Sequence, residues 1–427
     1  MALPNSIPSV GGGDRPSGRW WVRLSLVVGL LAGLTAVISM AVVRPAQFSV
    51  ATDVYARAGR AMLDGEAVYA VSPTGTPGFT FKYPPVVAVL SIGYGLIGPT
   101  AAYVTQVGVN LLALGTLAWL VLDRLPTKSR IDRRLAALAI LAAGPVTSTF
   151  VMGQISPVVA LCVGGGFLVA LTDRAWRGGV GFGLGALIKV YPGGTWAWLF
   201  ARRSWRALAV AIGVLAVGWL GNLVVGIELT QSYVTTVLFE ESSTAVFAGG
   251  PPLRPAHVTV MRPLSALGVS GPWLWIGAAG LLGPPVLACY RRLDEPAGAE
   301  TAFLATVIGL LAVVPLEWFY FTLAVAPLVL VAYRIENHPA VRVLAIGTIL
   351  LWLAIPPEPL LMMTSDLPAG LGGAATWLAT DVLRRIQPPL IGACLVLGAC
   401  VWVQHDLARG RAVCRRTADE ETSFTPD

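Results

Sequence analysis

The chain has 427 residues, of which 55% are hydrophobic and only 12% carry a formal charge. An ordinary water-soluble domain has roughly twice that charged fraction. Together with a mean hydropathy of +0.71, this composition excludes a disordered chain, a coiled coil, a fibrous repeat and almost any water-soluble enzyme. It indicates an integral membrane protein that crosses the bilayer several times.

The hydrophobic content also limits the architecture. A membrane-spanning helix needs roughly 20 apolar residues, so the chain can supply about ten to twelve spans. We therefore expect an all-α fold with a single transmembrane domain over residues 1–427, and disordered cytoplasmic tails at residues 1–19 and 409–427. The first apolar run, residues 20–43, has no small-residue cleavage site after it, so we expect a span there rather than a removed signal peptide.

The positive charges predict the topology. The formal net charge is +7, but Lys and Arg concentrate in the cytoplasmic loops of membrane proteins, so a nucleic-acid partner is not indicated. The apolar run 84–97 is too short for an ordinary crossing and is expected to be a re-entrant or surface-lying helix on the outer side. With that choice, the basic clusters of six successive loops and both termini face the cytoplasm.

The unusual polar residues then collect in turns on the outer side of the plasma membrane. These turns are residues 44–97, 153–156, 189–192, 227–271, 317–320 and 356–385. Several runs between them are short and rich in glycine and aromatic residues. Broken helices that end inside the membrane need protein or water beside them, because lipid cannot satisfy their backbone groups. An outward-opening cavity is therefore expected.

An amphipathic helix is predicted after the first span, with Gly65 as its stop signal. Its apolar side holds Val54, Ala58, Ala61 and Met62, and its polar side holds Asp53, Arg57, Arg60 and Asp64. The pattern is typical of a helix lying on the membrane surface. By spacing alone, Asp53 is more simply explained as a charge at the helix N-terminus that pairs with Arg57.

Four further polar residues stand at turns next to apolar runs. Lys82 follows aromatic residues, as snorkelling lysines at membrane interfaces do, and Gln154 is compatible with a helix break whose polar side chains satisfy freed backbone groups. Lys189 and Glu317 are costly beside lipid and are functional candidates by default. A structural pairing between these two explains them about equally well.

The order of these motifs resembles glycosyltransferase family 87, whose members use polyprenyl-phosphate sugars and have the GT-C fold. The matching pieces are Asp53-Val54-Tyr55, Ala58-Gly59, Leu63-Asp64-Gly65, Tyr83-Pro84-Pro85, Gly153-Gln154-Ile155, Lys189-Val190-Tyr191-Pro192 and Trp318. Members that the chain resembles include mycobacterial α-mannosyltransferases of glycolipid biosynthesis and an arabinofuranosyltransferase. The resemblance implies an inverting transfer from a lipid-linked sugar phosphate on the outer face of the plasma membrane.

The resemblance implies that Asp53 is the catalytic residue. An inverting transfer needs one carboxylate to take the proton of the acceptor hydroxyl, while cations hold the departing phosphate. The expected donor-phosphate contacts are Lys189, Lys82 and Arg57, and the expected sugar or acceptor pocket is lined by Tyr83, Gln154, Glu317 and Tyr320. No DxD pair supported by other acids marks a nucleotide-sugar site, and no Cys or His spacing marks zinc. We expect neither a metal nor another cofactor.

The sequence does not identify the sugar or the acceptor. The late turn 317–320 lacks the Ser-Trp and His-His pattern that mannosyltransferases of the family often show. Mannose is the expected sugar and arabinofuranose the alternative. A lipid or small-solute transporter is the alternative of another class, but it would place charged residues on both faces of a central path. The expected partners are a polyprenyl-phosphate sugar donor, a glycolipid or polysaccharide acceptor and membrane lipids.

One long outward loop is a candidate for acceptor choice. Residues 227–271 contain Glu240, Glu241, Arg254, His257 and Arg262. A solvated loop without a ligand is an equally good explanation of these charges.

Overall fold

The computed structural model is built from α-helices joined by short turns. It describes residues 18–43, 45–73, 76, 79–239, 243–252, 257–354, 361 and 368–410. Of the predicted tails, only residues 18–19 and 409–410 fall within these ranges, so that prediction lies almost wholly outside the described residues. Within the described ranges the β-structure consists of one isolated antiparallel bridge, between His257 and Glu317.

The helices follow one another with few long connections. They are α1 (Gly18–Val43), α2 (Val50–Asp64), α3 (Pro85–Ile97), α4 (Pro99–Arg124), α5 (Arg130–Ala142), α6 (Gly144–Met152), α7 (Ser156–Ala170), α8 (Ala175–Ile188), α9 (Trp196–Ala201), α10 (Trp205–Val225), α11 (Ile227–Ser232), α12 (Met261–Ala266), α13 (Trp273–Ala288), α14 (Pro296–Val313), α15 (Thr322–Arg334), α16 (Ala340–Trp352), α17 (Ala369–Trp377) and α18 (Pro388–Ala408). Short 3-10 turns lie at Pro45–Gln47, Val68–Ala70, Tyr191–Thr195, Ala245–Phe247 and Trp318–Phe321, and π-helical turns at Tyr233–Leu238 and Leu378–Leu383.

Several helices are suited to a bilayer. In the described part of the chain, five are long and apolar enough to cross a membrane: α1, α4, α10, α14 and α18. The pair α5 and α6 is a further candidate with a 41° bend, which Pro145 at the start of α6 explains because it removes a backbone donor. Shorter apolar helices are α3, α7, α13, α15 and α16. The all-α, polytopic membrane class is thus confirmed, and the number of crossings stays a prediction.

The core surrounds α14 and α15, which are buried along most of their length. Large aromatic rings fill the space beside them: Phe303 of α14 stacks on Phe167 with ring centroids 4.0 Å apart, and Trp198 packs edge-on against both. Stacked aromatic pairs of this kind add specific packing to simple burial. The two central helices therefore form a rigid support for the turns at their ends.

The predicted amphipathic helix is confirmed as α2, which ends at Gly65 with φ of 70°. Val54, Ala58 and Ala61 are buried, as the periodicity predicts. Beside them Gly59 brings α2 against α3, because a Cβ at this position would collide with the backbone carbonyl of Ser91. The short run predicted not to cross the membrane is α3, and it packs on α2.

Two ends of the molecule differ in their polar chemistry. At the end where α1 begins and α15 ends, ion pairs join neighbouring helices: Arg19 with Glu336, Arg23 with Asp132 and Arg334 with Glu300. At the other end, helices stop short and turn. Gly153 separates α6 from α7 with φ of 68°, and extended Lys189 ends α8. These breaks lie where the sequence predicted outward turns.

Candidate functional site

Five of the six predicted outward turns contribute side chains to one cavity with a volume of about 360 Å³. Its polar and aromatic lining residues are Tyr55, Phe79, Thr80, Lys82, Tyr83, Gln154, Lys189, Tyr191, Tyr233, Trp275, Glu317, Phe319 and Tyr320. Six of the eight side chains predicted for the site are therefore brought together. The membrane side on which the cavity opens stays a prediction.

Lys189 is the buried cation of this cavity, with only 8% of its surface exposed. Its Nζ donates to Ser156 Oγ at 3.1 Å and lies 4.1 Å from the centroid of the Tyr320 ring and 5.5 Å from that of Tyr83. Aromatic faces attract a cation without neutralising it. The ammonium group of Lys189 thus lies against aromatic faces and a hydroxyl in a cavity that is partly shielded from water.

Two tyrosines and one amide form the wall beside Lys189. The hydroxyls of Tyr55 and Tyr83 are hydrogen-bonded to each other at 2.8 Å and lie 3.4 and 3.2 Å from Gln154 Oε1, which accepts from the hydroxyl that does not donate to the other. Burial raises the pKa of the Tyr83 phenol well above its ordinary value, so this group stays protonated. Because the amide oxygen of Gln154 is used by tyrosines, its amide nitrogen is the group that can donate to a sugar oxygen.

A buried hydrogen-bond chain supports Gln154 from behind. Asn110 Nδ2 donates to the backbone carbonyl of Gln154 at 2.9 Å. Gln106 Nε2 in turn donates to Asn110 Oδ1 at 2.9 Å, and the Tyr94 hydroxyl donates to Gln106 Oε1 at 2.8 Å. The sequence analysis missed these residues. The available signal was a pair of amides four residues apart in the apolar helix α4, since such spacing puts both on one helix face.

Glu317 and Lys82 complete the charged lining. Glu317 is the carboxylate among the described lining residues, and its backbone pairs with that of His257. Lys82 is exposed at the cavity. Of the loop charges singled out in the sequence, Glu240, Glu241 and Arg254 lie outside the described residues.

Asp53 and Arg57 are placed differently. Arg57 Nε donates to Asp53 Oδ2 at 3.1 Å, and the two side chains are 43% and 23% exposed, respectively. Neither lines the cavity, whereas Ala51, Val54 and Tyr55 of the same helix do. With about 100° of rotation per residue, Asp53 and Arg57 fall on the side of α2 away from those three. The structure therefore joins Asp53 to Arg57 and separates both from the other predicted site residues.

The described residues contain no group of three or more His, Cys, Asp or Glu that could hold a metal ion. The four cysteines among the described residues form no disulfide bond: Cys162, Cys289, Cys394 and Cys400. Independence from metal stays a prediction of the sequence.

Comparison with known proteins agrees with the motif pattern. The model of glycosyltransferase family 87 matches residues 79–314, which is more than half of the chain. This span includes Lys82, Tyr83, Gln154 and Lys189, and it leaves out Asp53 and Glu317.

A curated protein of Mycolicibacterium smegmatis is similar over a comparable length. It is named polyprenol-phosphate-mannose-dependent alpha-(1-2)-phosphatidylinositol pentamannoside mannosyltransferase, and it is 27% identical over 273 residues, 60% of this chain. The match spans 62% of that relative's length. No solved structure matches the chain.

Proposed function

Because the chain belongs to glycosyltransferase family 87, we propose that it transfers a sugar from a polyprenyl-phosphate donor to a hydroxyl group of a glycolipid or polysaccharide acceptor. The proposed sugar is mannose, in line with the name of the similar mycolicibacterial protein. The proposed location is the outer face of the plasma membrane, with both termini in the cytoplasm.

The observation that carries this proposal is the environment of Lys189. A buried ammonium group held by Ser156 and by aromatic rings is suited to a phosphate, since charge-assisted hydrogen bonds are strong where water is partly excluded. Lys82 at the same cavity supplies a second cation. Gln154 and Glu317 provide polar atoms of the kind that bind sugar hydroxyls against aromatic faces.

The proposed reaction is a single displacement with inversion. The acceptor oxygen attacks the anomeric carbon as the bond from that carbon to the phosphate oxygen breaks. A carboxylate takes the acceptor proton, and the electron pair of the broken bond leaves on polyprenyl phosphate. Lys189 lowers the barrier by stabilising the charge that grows on this leaving group.

Asp53 is the base proposed from the family resemblance. In the structure its carboxylate lies beside Arg57 and outside the cavity lining, so it can act only on an acceptor that reaches the polar side of α2. Arg57 is proposed as a phosphate contact under the same condition. Glu317, in the lining, is the carboxylate that takes the base role if the acceptor stays within the cavity.

The function is tested with the full chain purified into lipid nanodiscs. Radiolabelled polyprenyl-phosphate mannose and polyprenyl-phosphate arabinofuranose are offered side by side with a synthetic oligomannoside acceptor. Transfer of mannose alone supports the proposal, and transfer of arabinofuranose alone replaces the sugar but keeps the reaction class. Absence of transfer from either donor, together with transport of solute or lipid by the same protein in sealed vesicles, would overturn the enzyme assignment in favour of a transporter.

A further inference from the structure

Asn222 is a polar residue of the apolar helix α10, and it has no exposed surface. It stands one turn before the end of α10 at Val225. This end lies near the cavity of Lys189, because a Cβ at Gly218 would collide with the side chain of Leu187, two residues before Lys189. A buried amide is costly unless it is hydrogen-bonded, so the contacts of Asn222 indicate what it does.

The side chain of Asn222 caps the start of α3. The backbone N–H of Val86 donates to Asn222 Oδ1 at 2.9 Å. Val86 is the second residue of α3, and N–H groups in the first turn of a helix have no partner within that helix. Only the oxygen of the amide can accept this bond, so the orientation of the Asn222 side chain is fixed. Asn222 therefore caps a helix to which it does not belong.

The segment that leads into α3 carries two side chains of the cavity, Lys82 and Tyr83. The ring centroid of Tyr83 lies 5.5 Å from Lys189 Nζ. Residues 84 and 85 are prolines, whose rings fix the backbone angle φ. Because this connection is stiff, a displacement of Val86 is transmitted to Tyr83.

A second hydrogen bond holds the same segment. The hydroxyl of Tyr69, a buried residue outside the cavity lining, donates to the backbone carbonyl of Tyr83 at 3.1 Å. The ring of Tyr69 packs on that of Tyr233 with centroids 5.9 Å apart, and Tyr233 packs on Trp219 of α10 at 6.3 Å. The segment is thus held to α10 directly through Asn222 and indirectly through aromatic rings.

The backbone of Asn222 supports another wall of the cavity. Its carbonyl oxygen accepts from Thr230 Oγ1 at 2.8 Å and from the N–H of Gly226 at 3.1 Å. These bonds fix the connection between α10 and α11. The π-helical turn that follows α11 supplies Tyr233 and Val237 to the lining. One residue therefore bonds to two of the segments that enclose the cavity.

The amide nitrogen of Asn222 contributes no comparable contact. Nδ2 is buried and has no hydrogen-bond partner among the described residues. A buried donor without a partner lowers stability, and departures of this kind are expected at functional sites. The oxygen of Asn222 is thus the half of the amide that the segment before α3 requires.

We propose that Asn222 is a positioning residue for the side of the cavity that binds the sugar donor. It acts through the N–H of Val86 on Lys82 and Tyr83, and it does not itself line the cavity. The inference rests on the proposed function, because that function assigns the polyprenyl-phosphate sugar to this cavity. Loss of the bond from Val86 therefore affects donor binding more than acceptor binding.

The kinetic test compares two replacements of Asn222. Asn222→Leu has a similar size and no acceptor, whereas Asn222→Asp keeps an acceptor oxygen and loses the nitrogen. Asn222→Leu should raise KM for polyprenyl-phosphate mannose about tenfold, as expected for loss of one hydrogen bond, and leave KM for the oligomannoside acceptor unchanged. Asn222→Asp should leave both KM values nearly unchanged.

The matched control is Thr235→Val. Thr235 is exposed, and its hydroxyl donates to carbonyls of its own helical turn, those of Gln231 and Ser232. Both KM values should equal those of the unmodified chain. Thermal unfolding in detergent checks that each variant is folded. If Asn222→Leu does not fold, Asn222→Ser takes its place, since the shorter hydroxyl does not reach Val86.

Hydrogen exchange of backbone amides gives a readout that needs no substrate. With the full chain in nanodiscs, Asn222→Leu should speed exchange in residues 79–90 and leave α4 protected, because only local opening is expected. Asn222→Asp should restore the protection. If the unmodified chain transfers no sugar, the proposed function fails, and the exchange result still decides whether Asn222 holds this segment.

Three results would overturn the proposal. The first is unchanged exchange of residues 79–90 in Asn222→Leu, which would show that the bond does not hold the segment. The second is faster exchange with an unchanged donor KM, which would make the role of Asn222 structural only. The third is a rise of donor KM in Asn222→Asp as large as that in Asn222→Leu.

Discussion

The ammonium nitrogen of Lys189 lies 4.1 Å from the centroid of the Tyr320 ring. The two residues are separated by more than a hundred positions in the chain, and each stands in a break between apolar helices. Tyr83 and Ser156, from two further breaks, also lie beside the ammonium group. The turns that the sequence assigned to one side of the membrane thus converge on one buried positive charge.

Replacing this charge should impair transfer strongly. Lys189→Met keeps a long flexible side chain but removes the ammonium group that we propose to bind the phosphate of the sugar donor. We expect kcat/KM to fall about 10- to 100-fold, the range for loss of one charge-assisted contact. Lys189→Arg should recover part of the activity, because it restores the charge but fits poorly beside Ser156.

The control for that series is Lys128→Met, since Lys128 is exposed in the connection between α4 and α5. Its activity should equal that of the unmodified chain. Initial rates with labelled donor are the measurement, and thermal unfolding in detergent checks that each variant is folded. Full activity of Lys189→Met would remove Lys189 from the donor site.

Replacing each candidate carboxylate by its carboxamide identifies the catalytic base. Asp53→Asn should lower kcat about 10²- to 10⁴-fold, the usual contribution of a general base, if the family resemblance assigns the role correctly. Glu317→Gln should then act mainly on KM, as expected for a sugar contact in the cavity lining. The reverse pattern, with kcat lost in Glu317→Gln and kept in Asp53→Asn, transfers the base role to Glu317.

Asp64→Asn is the matched control for this pair. Asp64 lies in the same helix as Asp53 and is exposed on the same polar side. A loss of activity in Asp64→Asn as large as that in Asp53→Asn would indicate that the charge of α2 matters as a whole, and not one carboxylate.

How far the sequence predicts this molecule depends on the range of the interaction. The limits of α2 follow from local signals, namely the 3.6-residue periodicity of Val54, Ala58 and Ala61 and the stop at Gly65. The pairing of Asp53 with Arg57 is also local and was recognised from their spacing. The sequence could not show which side of α2 faces the cavity, because that depends on packing against α3 and on turns far away in the chain.

The sequence predicted which distant turns lie on the same side of the membrane, but not which of their side chains meet. Charge bias in the loops placed Gln154, Lys189 and Glu317 on one side of the membrane, yet it carries no information about distance. The contact between Lys189 and Ser156 and the support of Gln154 by Asn110 depend on the arrangement of at least three helices. One sequence without its relatives does not encode such contacts in any local pattern.

The support behind Gln154 should be measurable as stability. Asn110 is fully buried and bonds both Gln154 and Gln106. Asn110→Leu leaves two buried polar groups without their partner, so we expect a loss of about 1–3 kcal/mol. Tyr94→Phe removes only the last bond of the chain and should cost about 0.6 kcal/mol, the average for such bonds in a membrane. Thermal unfolding in detergent gives the ranking.

The matched control is Thr116→Val, on the exposed side of the same helix. It should leave the unfolding temperature unchanged, because its hydroxyl bonds only within α4, to the carbonyl of Leu112. Equal unfolding temperatures for Asn110→Leu and Thr116→Val would show that the buried chain does not stabilise the fold. KM should rise in Asn110→Leu alone, since Gln154 loses its position.

Gly153 should tolerate no side chain, for two separable reasons. Its φ of 68° is left-handed, which costs a non-glycine residue about 1–2 kcal/mol, and a Cβ there would collide with Thr52 Oγ1. Gly65→Ala isolates the cost of the left-handed backbone, since φ of Gly65 is 70° and no atom lies within 4 Å of the position that a Cβ would take there. We expect Gly153→Ala to lower the unfolding temperature more than Gly65→Ala does, and to be less harmful in a Thr52→Ala background because the collision is relieved. An identical loss in both backgrounds would contradict the close approach of α2 to this turn.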